Sequence, residues 1–98
     1  MKTIWKFKTN GGLVCHKEAD TIVEVPKQHT FISAGLDPSG ILCVWAMVET
    51  NSEMVNKKIY VRGTGHEIEE EIWELYIDSF LGSVVDREFV WHVFVDNK

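Results

Sequence analysis

Arg62-Gly63-Thr64-Gly65-His66 is the segment of this chain whose composition best suits chemistry beyond packing. Two glycines one residue apart let the backbone turn sharply and present N–H groups, while Thr64 and His66 add side-chain donors and Arg62 a planar, two-pronged charge. A concave turn of this kind holds a phosphate or a carboxylate. Neither a P-loop lysine nor GxGxxG spacing accompanies it, so a second reading stands beside the first: a tight turn between a strand and a short helix, with Thr64 capping the helix.

The four histidines, His16, His29, His66 and His92, include no close pair of the HxxxH kind, and Cys15 and Cys43 form no CxxC. The expectation is therefore no metal site, no cofactor and two free thiols. His92, between Trp91 and Val93 and on the strand face of Val90 and Phe94, reads as a hydrogen-bonded core residue. His66 and His92 are the one acid–base pair a small hydrolase could use, and that reading ranks last. No Ser-His-Asp order, GxSxG elbow or paired aspartate is present, and the chain is expected not to be an enzyme.

Trp5, Trp45, Trp73 and Trp91 are numerous for 98 residues. Trp45 and Trp91, together with His92, are candidates for stacking a planar ligand or lining a pocket; the competing reading places three of the four indoles in the core. Trp73 lies within the acidic run Glu67, Glu69, Glu70, Glu71, Glu74 and is expected to be partly exposed. Trp73, Glu70 and Glu71 thus form a candidate partner surface, weighed against a solvated face.

Strands must position these residues. Ile41–Val48 and Phe89–Val95 are apolar at nearly every position, a pattern that asks for cover on both faces. The opening segment alternates, with Trp5 and Phe7 inward and Lys2, Ile4, Lys6 and Lys8 outward. Asn10-Gly11-Gly12 reads as a turn leading to a weak arm over Leu13–His16. Thr21–Val25 ends at Pro26, which favours a sheet edge. Asp37-Pro38-Ser39-Gly40 is a strong turn signal and makes residues 30–48 a hairpin. Ile59–Arg62 is a further strand, Ile68, Ile72 and Leu75 fall at helical spacing for one or two turns, and Tyr76–Leu81 returns to strand character. About seven strands result, and the expected fold is a single mainly β domain over 1–98, a small antiparallel sandwich or barrel with one short helical turn.

The formal net charge of −5 and a complement of two arginines, Arg62 and Arg87, argue against a nucleic-acid polymer as partner, though not against a small anion. The opening strand lacks the continuous apolar stretch of a signal peptide, and no run is long enough to cross a bilayer. A cytoplasmic location without membrane contact is expected. A chain this short has little material to cover two doubly apolar strands, so a homo-oligomer is expected as well.

Ile4-Trp-Lys-Phe7, Leu42-Cys-Val-Trp-Ala-Met-Val48, Val61-Arg-Gly-Thr-Gly-His66 and Trp91-His-Val-Phe94 resemble, in that order, the recurring segments of a family of small proteins from bacteriophages and bacterial prophage regions. The resemblance covers most of the chain, with the GTGH and HVF elements its most specific parts. Tyr76-Ile-Asp-Ser-Phe80 departs from the family's glycine-threonine version, and the acidic stretch Glu69–Glu74 is longer. What the resemblance implies is a setting, the cytoplasm of an infected cell, where such a protein modifies host physiology, counters a defence, or belongs to the particle. The leading expectation is a non-enzymatic module that sequesters a small anionic, nucleotide-like ligand; the alternative is a protein–protein interaction or assembly component acting on a host protein.

Overall fold

The turn at Asp37 organises the first sheet. The Asp37 carboxylate accepts the N–H groups of Ser39 at 2.9 Å and Ile41 at 3.0 Å, and Gly40 takes φ 80° to let the chain reverse. In the computed structural model, which describes residues 1–10 and 20–96, this turn joins β3 (His29–Leu36) to β4 (Leu42–Glu49). The pair runs in antiparallel register from Leu36↔Leu42 to His29↔Val48, with a bulge between Phe31 and Ser33. β1 (Lys2–Lys8) adds to the other side of β4, giving the order β1-β4-β3. The expected turn at Asn10-Gly11-Gly12 and the arm over Leu13–His16, with Cys15 and His16, lie outside the described residues apart from Asn10.

The second sheet has the order β2-β5-β7-β6, built from β2 (Thr21–Pro26), β5 (Met54–Gly63), β6 (Phe80–Asp86) and β7 (Phe89–Val95). All its pairings are antiparallel. β2 is an edge strand ending at Pro26, where a missing N–H costs no ladder bond. β3 runs alongside β6, yet the two sheets remain separate ladders. The fold is thus a two-sheet sandwich and not a closed barrel.

Between the sheets lie Val25, Phe31, Leu42, Val44, Ala46, Val48, Ile59, Val61, Val84, Trp91, Val93 and Val95, with Trp5 and Phe7 packed against them. Each of the larger of these contributes about 1.5–3 kcal/mol by leaving water.

The helix α1 (Glu70–Ser79) is longer than the one or two turns expected, and Tyr76–Ser79 belongs to it rather than to a strand. Ile72 and Ser79, seven residues apart and so on one helical face, are buried. That docking outweighs the strand preference of Tyr76 and Ile77. Glu69 opens the helix: its carbonyl accepts the N–H groups of Ile72 and Trp73 at 3.0 Å. Glu70 and Glu71 in the first turn suit the positive end of the helix dipole. β6 then starts at Phe80 with no intervening loop.

α1 lies over the outer face of β7. Phe94 is 8% exposed there, 5.4 Å from Phe80 between ring centroids, and a cavity of only about 90 Å³ remains between Tyr60, Ile72, Ser79 and Phe94. β4 is covered differently. On its outer face Cys43 is fully buried, Trp45 is half-buried and Met47 is 50% exposed. Cover on both faces therefore holds for β7 and for one end of β4, while the other end of β4 is open because no helix or second layer follows it.

Candidate functional site

Arg62 sits on the outer face of β5 in register with His92, yet it is 2% exposed. Its Nη1 donates to Asp20 Oδ1 and to the Val61 carbonyl at 3.0 Å; its Nη2 donates to Asp20 Oδ2 at 3.2 Å and Glu69 Oε2 at 2.6 Å. The guanidinium also lies 5.8 Å from the centre of the Tyr60 ring. Burial works against its charge, but the two carboxylates more than offset this and raise its pKa above the ordinary arginine value. Arg62 is thus a strut tying the residue before β2 to β5 and to the residue that starts α1. Its charge is already balanced by Asp20 and Glu69, so the expected delivery of that charge to an external anion is not what this geometry provides.

The turn after Arg62 also closes on itself. The N–H of Gly63 donates to His66 Nδ1 at 3.3 Å, that of Thr64 to the Val90 carbonyl at 3.1 Å, and that of His66 to the Gly63 carbonyl at 3.0 Å. Gly65 takes φ 88°, a conformation that side-chain-bearing residues rarely adopt. A Cβ at position 63 would lie 3.0 Å from the His66 ring, so glycine is needed where the imidazole folds back. Thr64 does not cap α1, which begins six residues later; its hydroxyl is 2.8 Å from His92 Nε2.

Thr64 and His66 leave the turn toward opposite faces of the sheet. His66 meets Trp91 edge-on, 6.2 Å between centroids, whereas Thr64 joins His92, and residues 91 and 92 of a strand point to opposite faces. His92 is held between two hydroxyls, Thr64 Oγ1 at Nε2 and Ser83 Oγ at Nδ1, both at 2.8 Å. This is a hydrogen-bonded imidazole on a half-buried outer face. Both described contacts are with hydroxyls, and His66 lies across the sheet from it.

The two tryptophans proposed for stacking are also separated. Trp91 is 2% exposed inside the sandwich, stacked on Phe89 at 6.0 Å, and its indole N–H makes no hydrogen bond. Trp45 is on the outside of the first sheet, in register with Lys6 and Ser33 and against Gly35. They do not line one pocket. Trp73 is where the sequence places it, 68% exposed, and Glu70, Glu71 and Glu74 around it are exposed too. Glu70, its i−3 neighbour, shares its side of the helix, while Glu74, next in sequence, points about 100° away around the helix.

Two further features escape sequence reasoning. One is Asp20, whose role depends on a partner 42 residues away. The other is an open groove of about 570 Å³ at one end of the first sheet, bordered by Lys2, Ile4, Gln28, Thr30, Met47 and Glu49. Ile4 standing between Lys2 and Lys6 on an outward face was its available signal, since that face has no partner layer. Among the described residues no three His, Cys, Asp or Glu side chains converge as a metal site. Burial, with Asp37 adding to it, pushes the Cys43 thiol above its usual pKa, which disfavours a thiolate there.

The family described as Domain of unknown function (DUF7352) matches residues 1–98, and the chain belongs to that family. No curated protein and no solved structure matches it.

Proposed function

From the geometry above, we propose that the protein is a non-enzymatic binding module that works by protein–protein contact, through the exposed side of α1 where Trp73 stands beside Glu70, with Glu74 and Glu71 further round. The observation that carries this reading is an indole 68% exposed on a helix that is otherwise firmly anchored by buried Ile72 and Ser79 and by the Arg62–Glu69 pair. A large aromatic exposed on an anchored helix is the kind of group that dominates binding energy once a partner desolvates it. The carboxylates around it select a partner that is basic and offers an apolar recess. The resemblance to phage-type segments supports a host-cell setting for this reading, and no described helix is long and apolar enough to cross a membrane.

A nucleotide-like ligand is the weaker alternative, because an anion would have to displace Asp20 or Glu69 from Arg62. Affinity capture from a lysate of the producing cells, which holds further copies of this chain as well as host proteins, tests the choice. The expected result is a stoichiometric protein retained by wild type and lost with Trp73→Ala, while mono-, di- and cyclic nucleotides give no heat by calorimetry. Nucleotide binding that survives Trp73→Ala but is lost in Arg62→Lys would reverse the assignment.

A further inference from the structure

We infer that the partner of the α1 face is a second copy of this chain, whose β1-β4-β3 sheet receives Trp73 in the groove beside Ile4 and Met47. This rests on the proposed role of α1 and names its partner. The outward residues of that sheet fall in rows set by the strand register across β1, β4 and β3: Lys2 and Glu49; Ile4, Met47 and Thr30; Lys6, Trp45 and Ser33. Ile4 is 55% exposed and Met47 50% exposed, side by side one row in from the Lys2–Glu49 end of this face. Lys2, Lys6 and Lys8 line the same side of β1. Lys6 is tied to Asp37 at 3.0 Å and Glu49 to the Met1 ammonium, while Lys2 and Lys8 form no ion pair among the described residues.

α1 presents the converse pattern. Glu70, Glu71, Glu74 and Asp78 are exposed and form no ion pair among the described residues, and Trp73 stands among them. One face is therefore apolar, bordered by lysines and by a Glu49 already neutralised by the Met1 ammonium, and the other is aromatic with carboxylates beside it. Glu70 stands one turn from Trp73 on its side of the helix and Glu74 beside it, while Lys2 and Lys6 flank Ile4 on the sheet; flexible lysine stems can reach the carboxylates across the difference in spacing. A chain with net charge −5 that still gathers lysines on one sheet face carries both halves of a complementary pair.

The two faces lie on opposite sides of the sandwich, since α1 covers the outer face of the second sheet and the groove opens on the outer face of the first. The contact is consequently head-to-tail, and it builds a ring or an open stack rather than a two-fold dimer.

Light scattering of three proteins tests this: wild type, Trp73→Lys and Ile4→Glu. Both changed residues are exposed, so the far-UV circular dichroism of each variant should match wild type. Wild type should show a mass above the 11.3 kDa monomer that rises with concentration and falls as salt screens the lysine–carboxylate contacts. Each variant alone should weaken association at least about 30-fold, the scale of an interface hot spot. An equimolar mixture should form a two-chain species, because Trp73→Lys keeps its sheet face and Ile4→Glu keeps its helix. A wild type that stays monomeric, variants that still assemble separately, or a mixture that stays monomeric would each overturn the inference. If wild type is monomeric while Trp73→Lys loses the protein captured from lysate, only self-docking falls; if neither mass nor capture depends on Trp73, the role of α1 falls with it.

Discussion

β4 and β7 are composed almost alike and each lies inside its sheet, yet the protein treats them differently. Their inward residues are equivalent: Leu42, Val44, Ala46 and Val48 on one, Trp91, Val93 and Val95 on the other, none more than 3% exposed. Their outward residues are not. α1 covers Phe94, whereas beyond Cys43, which lies beneath the Asp37 turn, β4 turns Trp45 and Met47 toward the solvent side. Apolar residues at every position of a strand state that both faces favour cover, but not what supplies it. For β7 the cover is the chain's own helix; for the open end of β4 it is the second copy proposed above.

The largest effect should come from the covered side of β7. Phe94→Ala removes a ring packed on Phe80 beneath α1 and should cost about 3–5 kcal/mol in urea unfolding. A loss no larger than that of a surface residue would mean that α1 does not seal this face. Next is the strut that fastens α1. Arg62→Ala leaves the Asp20 and Glu69 carboxylates facing each other without their cation and should cost about 3 kcal/mol, the low end for a broken buried pair because both carboxylates keep some access to water. Amide exchange should quicken first at residues 70–74 in that variant.

The turn at the covered end of β4 gives a pH signature. The Ile41 N–H, and then Lys6 and the Ser39 N–H, hold the Asp37 carboxyl down to about 2, below its ordinary 3.8. The unfolded chain therefore binds this proton first, so the stabilisation is complete above about pH 4 and is lost as pH falls toward 2. Asp37→Asn should remove that part of the acid limb in a series of urea midpoints; an unchanged limb would show that the turn does not hold β4's end. The smallest effect is expected on the open side. Met47→Ala should alter monomer stability by no more than about 0.5 kcal/mol while weakening any association.

The local devices were legible in the residues. Asp37-Pro-Ser-Gly40 dictated its turn, Pro26 marked an edge, β1's alternation set its faces, and Trp73 among glutamates announced exposure. What depended on distant partners was not legible. Arg62 beside two glycines reads as an anion clamp until Asp20, 42 residues earlier, is seen to occupy it. Trp45 and Trp91 look like one aromatic pair because strand order, which separates them into two sheets, leaves no trace in local pattern. Tyr76-Ile77 has strand preference, and only the burial of Ile72 and Ser79 on a common helical face explains why the helix continues through it.

The most direct measurement is hydroxyl-radical footprinting of wild type across a concentration series. Trp73 and Met47 are predicted to be oxidised readily in dilute protein and to become protected together as concentration rises, with Trp91 unreactive throughout. Trp73 and Met47 remaining equally reactive at every concentration would contradict the assignment of α1 and the β4 face as the two halves of one contact.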